Sequence, residues 1–483
     1  MLRVPAPSIR RERRALSRSL FPTAERKKKS GGAKLALLLF FDMAVALALC
    51  VTLLENRLPW LSAAGIVVVI IRGGLGRLSL NPRIKGVELL AVAAVAYWLL
   101  NYSWSTADLQ NLYSFKFLRN DGALLVTYPA FLCMLSWTQK PSRVQTFWVF
   151  LNVILGLMAI SGIWIMLGLP YARYFELLGV VGKEEELGGA QRLFYGWFQT
   201  HNTAGGMYAI GSICALGLLL EGGGKGGFKK ALTWTLFLSC LGGLAITFSR
   251  SGYIAFAAGA MLLFPIRKFT KMVKVGLLVL VPTVLIALTS SSILNRIDTI
   301  TDPNYGTNAT RFDLWREALQ DFSWSPIVGI GFGRYNDRML QFDGVKYLVY
   351  VAKRGEIAND DSHAHNSYFH FMAEGGTIGV LLMLGIWWFT WRELAFYERH
   401  MADPKLSVLW KVSRASILAL FTMSLTEHYL GRGSVVLTAM ALTGMTIASS
   451  RAQWEAASRI RTKEGRKEKV SSGLSRKVLP GAC

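Results

Sequence analysis

Charged residues are scarce in this chain. They make up 17% of its 483 residues, against about a quarter in a soluble domain. Acidic residues are scarcer still, 30 against 54 Lys and Arg, and histidine occurs six times. Of the five cysteines, Cys50, Cys133, Cys214 and Cys240 fall within apolar runs and Cys483 is the last residue. No cysteine pair has metal-ligand spacing, and no disulfide framework is suggested. The long apolar stretches also lack the period-two or period-3.6 alternation of a soluble fold. Runs 35–54, 144–167, 231–247 and 377–391 are nearly charge-free. Each is near the length that crosses roughly 30 Å of hydrocarbon.

What is present is therefore an all-α, polytopic membrane helix bundle of about twelve spanning helices. The spans are expected at 35–54, 58–71, 86–100, 122–138, 144–167, 204–220, 231–247, 252–265, 275–288, 377–391, 408–426 and 433–449. The second, eighth and ninth are short, and the eleventh carries Lys411 and Arg414 near its start. The first run has a long basic leader and no small-residue cleavage site after it, so it reads as a retained anchor.

The net charge of +24 is compatible with nucleic-acid binding or with a membrane protein's cytoplasmic flanks, and position separates the two. Basic residues crowd 1–34 (Arg10, Arg11, Arg13, Arg14, Lys27 to Lys29) and the tail after Ser450 (Arg459, Arg461, Lys463, Arg466, Lys467, Lys469). With the N-terminus inside, four inner connections are also basic: Arg72 to Lys85, Lys140 with Arg143, Lys225 to Lys230, and Arg267 to Lys274. This asymmetry matches the positive-inside rule, so membrane lipids, not nucleic acid, are the expected partners. The resulting organisation is a basic cytoplasmic N-terminal tail (1–34), the bundle (35–450) and a basic cytoplasmic C-terminal tail (451–483). A large, partly helical outer loop, 289–376, lies between spans nine and ten. Connections beyond about fifteen residues are usually functional or disordered, and this one contains tryptophans, prolines and helical patterns.

Three positions on the outer side carry chemistry. Arg250, in Thr247-Phe248-Ser249-Arg250-Ser251-Gly252, sits between spans seven and eight. It is either a snorkelling anchor or an anion contact facing the bundle interior. Thr310-Arg311-Phe312-Asp313-Leu314-Trp315 opens an amphipathic helix, with Thr310 and Asp313 resembling a capping box. Arg311 would then lie in its first turn, either pointing into water or joining free N–H groups in an anion site. Asp361-Ser362-His363-Ala364-His365-Asn366 precedes a helix that Asn366 caps and Gly375 ends. His365 there is either an inert surface histidine or a neutral imidazole able to accept a proton. His363 and His365, even with Asp361, lack the spacing of a firm zinc motif, so no metal ligand is assigned. Gly329-Ile330-Gly331-Phe332-Gly333 reads as a tight turn after Pro326, since no strand–helix unit frames it as a nucleotide loop. Glu427, His428 and Arg432, between the last two spans, are either a solvated loop or part of the same cavity.

In order and spacing these segments resemble the O-antigen ligase and polymerase superfamily of bacterial membrane glycosyltransferases. The resemblance rests on Phe248-Ser249-Arg250-Ser251-Gly252, on Arg311 with Trp315 and Ala318-Leu319, and on Pro326 with Gly329 to Gly333. It ends in His365-Asn366-Ser367-Tyr368 and Glu374-Gly375-Gly376, and His201-Asn202 after Arg192 to Phe198 fits it too. It implies an inner-membrane enzyme, working without metal or cofactor, that takes a glycan from a polyprenyl diphosphate carrier. The acceptor would be lipid A core, another glycan repeat or protein. The resemblance puts the important residues at Arg250, Arg311 and His365. Asn366, Trp315, Glu427 and Arg432 are expected beside them as substrate contacts.

A polymerase of O-antigen or exopolysaccharide shares the same loop. A transporter or flippase would instead place charges near the bilayer midplane. Only Asp42 lies deep in an expected span, which favours an enzyme.

Overall fold

The computed structural model describes residues 40, 42–47, 50, 67, 85–105, 136–177, 181–186, 190–198, 200–220, 227–264, 306–332, 335, 337–342, 345–350, 363–430 and 433–475. These are almost entirely helical. In chain order come α1 (Gly86–Ser105), α2 (Pro141–Met166), a short α3 (Ala172–Leu177), α4 (His201–Leu220), α5 (Gly227–Ile246) and α6 (Arg250–Leu263). After them come α7 (Gly306–Trp324), α8 (Ser367–His400), α9 (Pro404–Met423) and α10 (Ser434–Ser475). Two antiparallel hairpins interrupt the helices: β1 (Val181–Glu186) with β2 (Ala190–Gly196), and β3 (Asp337–Phe342) with β4 (Val345–Tyr350).

The protein is a helical membrane protein. Five helices among the described residues are long and apolar enough to cross a membrane: α2, α4, α8, 406–423 of α9 and 434–460 of α10. Gly86–Asn101 and Lys230–Ile246 are shorter apolar helices. The outward faces are apolar as well. Leu89, Val92 and Leu100 on α1, Leu157 and Ile160 on α2, and Leu381 and Trp388 on α8 are all exposed. Apolar surface this extensive suits hydrocarbon, not water. The spans expected at 86–100, 144–167, 204–220, 231–247, 252–265, 377–391, 408–426 and 433–449 coincide with helical segments. Those at 35–54, 58–71, 122–138 and 275–288 lie wholly or mostly outside the described residues, as do both expected termini up to residue 39 and beyond 475.

α4 is the central helix, buried from Ala204 to Gly217. Its small residues let neighbouring backbones approach, the usual device of helix packing in lipid. At Gly252 one backbone meets another, because a Cβ there would lie 2.9 Å from the Gly205 carbonyl group. That contact holds the start of α6 against the start of α4.

The expected turn at Gly329 belongs to a larger unit. α8 breaks at Gly376 (φ 59°, ψ −163°) and then continues to His400. A break strands carbonyls and N–H groups that a straight helix would pair internally. The segment after Pro326 supplies the partners. Ile330 and Gly331 donate to the Ala373 and Glu374 carbonyls, and Thr377 and Ile378 donate to the Pro326 and Ile327 carbonyls. Tyr97 and Asn101 of α1 close the unit. The Tyr97 hydroxyl donates to the Gly375 carbonyl at 2.7 Å, and the Asn101 amide oxygen accepts from Phe332 N–H at 3.0 Å.

Several expectations change here. The helix opened by Asn366 does not end at Gly375. It kinks at Gly376 and goes on, because the Pro326–Phe332 segment satisfies the freed backbone groups. α7 starts at Gly306, a full turn before Thr310. The capping box at Thr310 and Asp313 is therefore not the helix start. The loop 289–376 and the connection before α4 also contain the two hairpins, which an all-helical reading omitted. Phe342 pairs with Val345, so the two residues between them are Asp343-Gly344, a two-residue hairpin signature. Finally, α10 runs unbroken through the boundary expected at residue 450.

The end of the bundle opposite the start of α8 is held by ion pairs. Arg451 of α10 bridges Glu88 of α1 and Glu393 of α8, with Arg451 and Glu88 buried. Arg143 pairs with Asp42 at 2.9 Å, and Arg414 pairs with Glu398 while lying over the Trp391 ring at 4.4 Å. This is how the bundle accommodates Asp42 and Arg414: each is neutralised near the same end.

Gly376→Ala is expected to destabilise the protein by about 2 kcal/mol or more, since strain and steric conflict with the Ile327 carbonyl add. Gly168→Ala has φ +62° but open space around it, so it isolates the strain and should cost about 1 kcal/mol. Thermal unfolding of both variants in detergent checks the difference.

Candidate functional site

At the other end of the bundle, three separate segments converge on one carboxylate carried by a fourth. Glu427 lies in the connection between α9 and α10, and its side chain is only 8% exposed. An ionised carboxylate can be buried only if its oxygens are matched by donors or cations. Each oxygen here is matched. Oε1 accepts from Arg311 Nη2 of α7 at 2.9 Å and from Asn202 Nδ2 of α4 at 2.8 Å. Oε2 lies 2.9 Å from Nδ1 of His365 and 4.0 Å from Nε2 of His363.

The surrounding backbone fixes Glu427 itself. Asn366 caps α8, its side-chain oxygen accepting from Tyr368 and Phe369 N–H. Its amide nitrogen donates to the Leu425 carbonyl at 2.9 Å. Ser367 donates to the Glu427 carbonyl and accepts from Leu430 N–H. The start of α8 thus grips residues 425–430, and His365, at φ 47°, is held in the left-handed region just before it. Non-glycine residues adopt that conformation only when their surroundings enforce it.

An ionised carboxylate offers no proton, so the contact with Glu427 requires Nδ1 of His365 to carry the hydrogen. In the neutral ring Nε2 then bears the lone pair. The tautomer is thereby set by Glu427, and the carboxylate also stabilises the imidazolium that forms when Nε2 takes a proton.

The expected site residues fall into four groups. Arg311 and His365 are brought together through Glu427. Arg311, however, sits in the second turn of α7, so the reading of it as part of a helix-terminal anion site is wrong; its guanidinium acts with a carboxylate, not with free N–H groups. Arg250 is the first residue of α6 and adjoins the network through Ser249. The Ser249 hydroxyl caps α6 and donates to the Asn202 side-chain oxygen at 3.1 Å. The Asn366 amide is engaged with backbone, and Trp315 lies against Phe312 and Phe369 at 5.4 and 5.6 Å. Arg432 and Asp361 lie outside the described residues.

Sequence reasoning passed over a second, fully buried layer. Glu374, on α8, accepts from Tyr335 N–H at 2.9 Å and lies 3.2 Å from Nε2 of His370. The His370 ring is 4.0 Å from the His428 ring, and His428 is 5.8 Å from His363. Four of the six histidines therefore gather between two buried glutamates. The signal was the helical spacing of His370 and Glu374, which puts both on one face of α8. Among the described residues, His363, His365 and Glu427 also form a group whose ligand atoms all lie within 4.8 Å of one another.

Comparison with known proteins adds one positive finding. Residues 235–384 match the family described as O-antigen ligase. The matched stretch contains Arg250, Arg311 and His365 and stops before Glu427. No curated protein matches the chain.

Glu427→Gln keeps the side-chain shape and removes the charge that Arg311 and His365 share. Its expected effect is a loss of about 2 kcal/mol of stability, the scale of a charged hydrogen bond. Thermal unfolding checks it, and a wild-type melting temperature would remove Glu427 from its organising role.

Proposed function

We propose, on the premise that residues 235–384 are an O-antigen ligase domain of the O-antigen ligase and polymerase superfamily, that this protein is a ligase-like membrane glycosyltransferase. It moves a glycan from a polyprenyl diphosphate carrier to an acceptor hydroxyl. The observation that carries the reading is the Arg311–Glu427–His365 arrangement, a cation and an imidazole joined by one buried carboxylate.

The chemistry needs two things from the protein. The departing polyprenyl diphosphate develops negative charge as the anomeric C–O bond breaks, and guanidinium groups stabilise that charge. Arg311 supplies one, and Arg250 at the start of α6 a second. The acceptor hydroxyl must lose its proton as its oxygen bonds to the anomeric carbon from the opposite face. Nε2 of His365 takes that proton, and Glu427 stabilises the imidazolium. Configuration at the anomeric carbon inverts. Asn202 keeps Glu427 aimed while Arg311 turns to the diphosphate.

Charge placement supports an orientation. Lys85, Lys140, Arg143, Lys230, Lys411, Arg414 and Arg451 all belong to the end opposite Glu427. By the positive-inside rule that end faces the cytoplasm. The site then faces the outer side of the bacterial inner membrane, where the lipid carrier presents its glycan and the hairpin β3–β4 lies in the same outer connection.

In a transfer assay, His365→Ala is expected to lower turnover by about 10²–10⁴-fold, the usual contribution of a general base. Arg311→Lys should also lose activity, because an ammonium cannot reproduce the guanidinium fork. Wild-type turnover in both variants would refute the assignment. In a deletion strain, carrier-linked polymer that no longer reaches lipid A core identifies a ligase. Accumulation of single repeats identifies a polymerase instead, and unchanged surface glycans contradict both.

A further inference from the structure

The group formed by His363, His365 and Glu427 has a second chemical capacity. Two imidazole nitrogens and one carboxylate oxygen are the donor set of an open zinc site, with three protein ligands and room for solvent. Nδ1 of His365 and Nε2 of His363 lie 2.9 and 4.0 Å from the same Glu427 oxygen. One ligand atom from each of the three residues lies within 4.8 Å of the others, so a point among them is close to the about 2.0–2.2 Å that zinc keeps to such ligands. Both histidines are partly exposed, with side chains 19% and 20% accessible, so an ion can enter. Imidazole ligands favour zinc and its transition-metal neighbours over magnesium or calcium.

We propose that Nε2 of His363, Nδ1 of His365 and Oε2 of Glu427 form a site for a zinc-class divalent metal, and that filling it switches off His365. The second half rests on the functional reading above; the first does not. The switch follows from the tautomer. A metal on Nδ1 displaces the hydrogen that Glu427 accepts, and the neutral ring then carries its proton on Nε2. That nitrogen can no longer take a proton from an acceptor hydroxyl. The Nδ1–H bond breaks, its proton is released to solvent, and a solvent proton forms the Nε2–H bond, so the ring stays neutral; removing the metal reverses the exchange and restores the original tautomer.

Arg311 makes the site adjustable. Its guanidinium lies on Oε1 of the same carboxylate and repels a dication bound at Oε2. The site is therefore weaker than a structural zinc centre, and binding is reversible. A donor diphosphate and the metal both act on the same pair: the diphosphate draws on Arg311, the metal on Glu427.

The test uses full-length protein in nanodiscs, purified with a tag that contains no histidine. Zn²⁺ is titrated in by calorimetry, with Mg²⁺ as the control ion. Wild type is expected to bind one Zn²⁺ and no Mg²⁺ at this site. His363→Gln should weaken Zn²⁺ binding by about tenfold or more, and Arg311→Ala should strengthen it by about tenfold as the repulsion is removed. Co²⁺ substituted into wild type should give the visible absorption of a low-coordinate nitrogen-ligated ion, a readout that does not depend on any variant folding. Equal Zn²⁺ affinity in wild type and a folded His363→Gln, or weaker binding in Arg311→Ala, overturns the site. In the transfer assay Zn²⁺ should inhibit wild type reversibly on chelation and inhibit His363→Gln at least tenfold less. Stoichiometric Zn²⁺ binding with unchanged or raised transfer overturns the switch and leaves the site. Transfer absent from metal-free wild type overturns the functional reading, while the binding results still decide the site.

Discussion

A single buried carboxylate organises one end of this bundle. Glu427 cannot stay ionised among helices unless its oxygens are matched, and the partners it gathers come from α4, α7 and the segment before α8. Removing the carboxylate would leave an arginine and an imidazole without the charge that positions them. The site is thus a consequence of burial physics: the cost of the buried anion compels the convergence, and the convergence creates the chemistry.

Two supports make that arrangement rigid. The start of α8, capped by Asn366, holds the 425–430 segment through Ser367 and the Leu425 carbonyl. Further along, the break at Gly376 would leave backbone groups stranded, and the segment after Pro326 takes them up. The kink thereby docks the Pro326–Phe332 segment onto α8 and, through Tyr97 and Asn101, onto α1. At the opposite end Arg451 ties α1, α8 and α10 together. The bundle is clamped at both ends by charge and packed between them by small residues on α4.

Much of this could be read from residues alone, for identifiable reasons. Spans announce themselves by the absence of charge, a local property, and the helices follow them. Asn366 was legible as a cap because capping acts within three residues. Arg311 and His365 were legible by type and setting, yet what joins them was not. Glu427 lies 116 and 62 positions away from them, and separations of that size leave no periodic trace. Local signals also misled where a competitor lay nearby. Thr310 and Asp313 looked like a helix start, but the chain enters the helix a turn earlier, which moves Arg311 off the terminus. The β3–β4 hairpin was within reach through Asp343-Gly344, a signal overshadowed by the search for helices.

In the proposed mechanism Arg311 and His365 work as one unit through Glu427. A double-mutant cycle on kcat/KM for glycan transfer, with Arg311→Ala, His365→Ala and the pair, tests this. Residues that act as a unit are strongly non-additive, so the double variant should lose little more than the worse single variant. Losses that multiply across the two substitutions would show that Arg311 and His365 act independently, and would contradict the proposed mechanism.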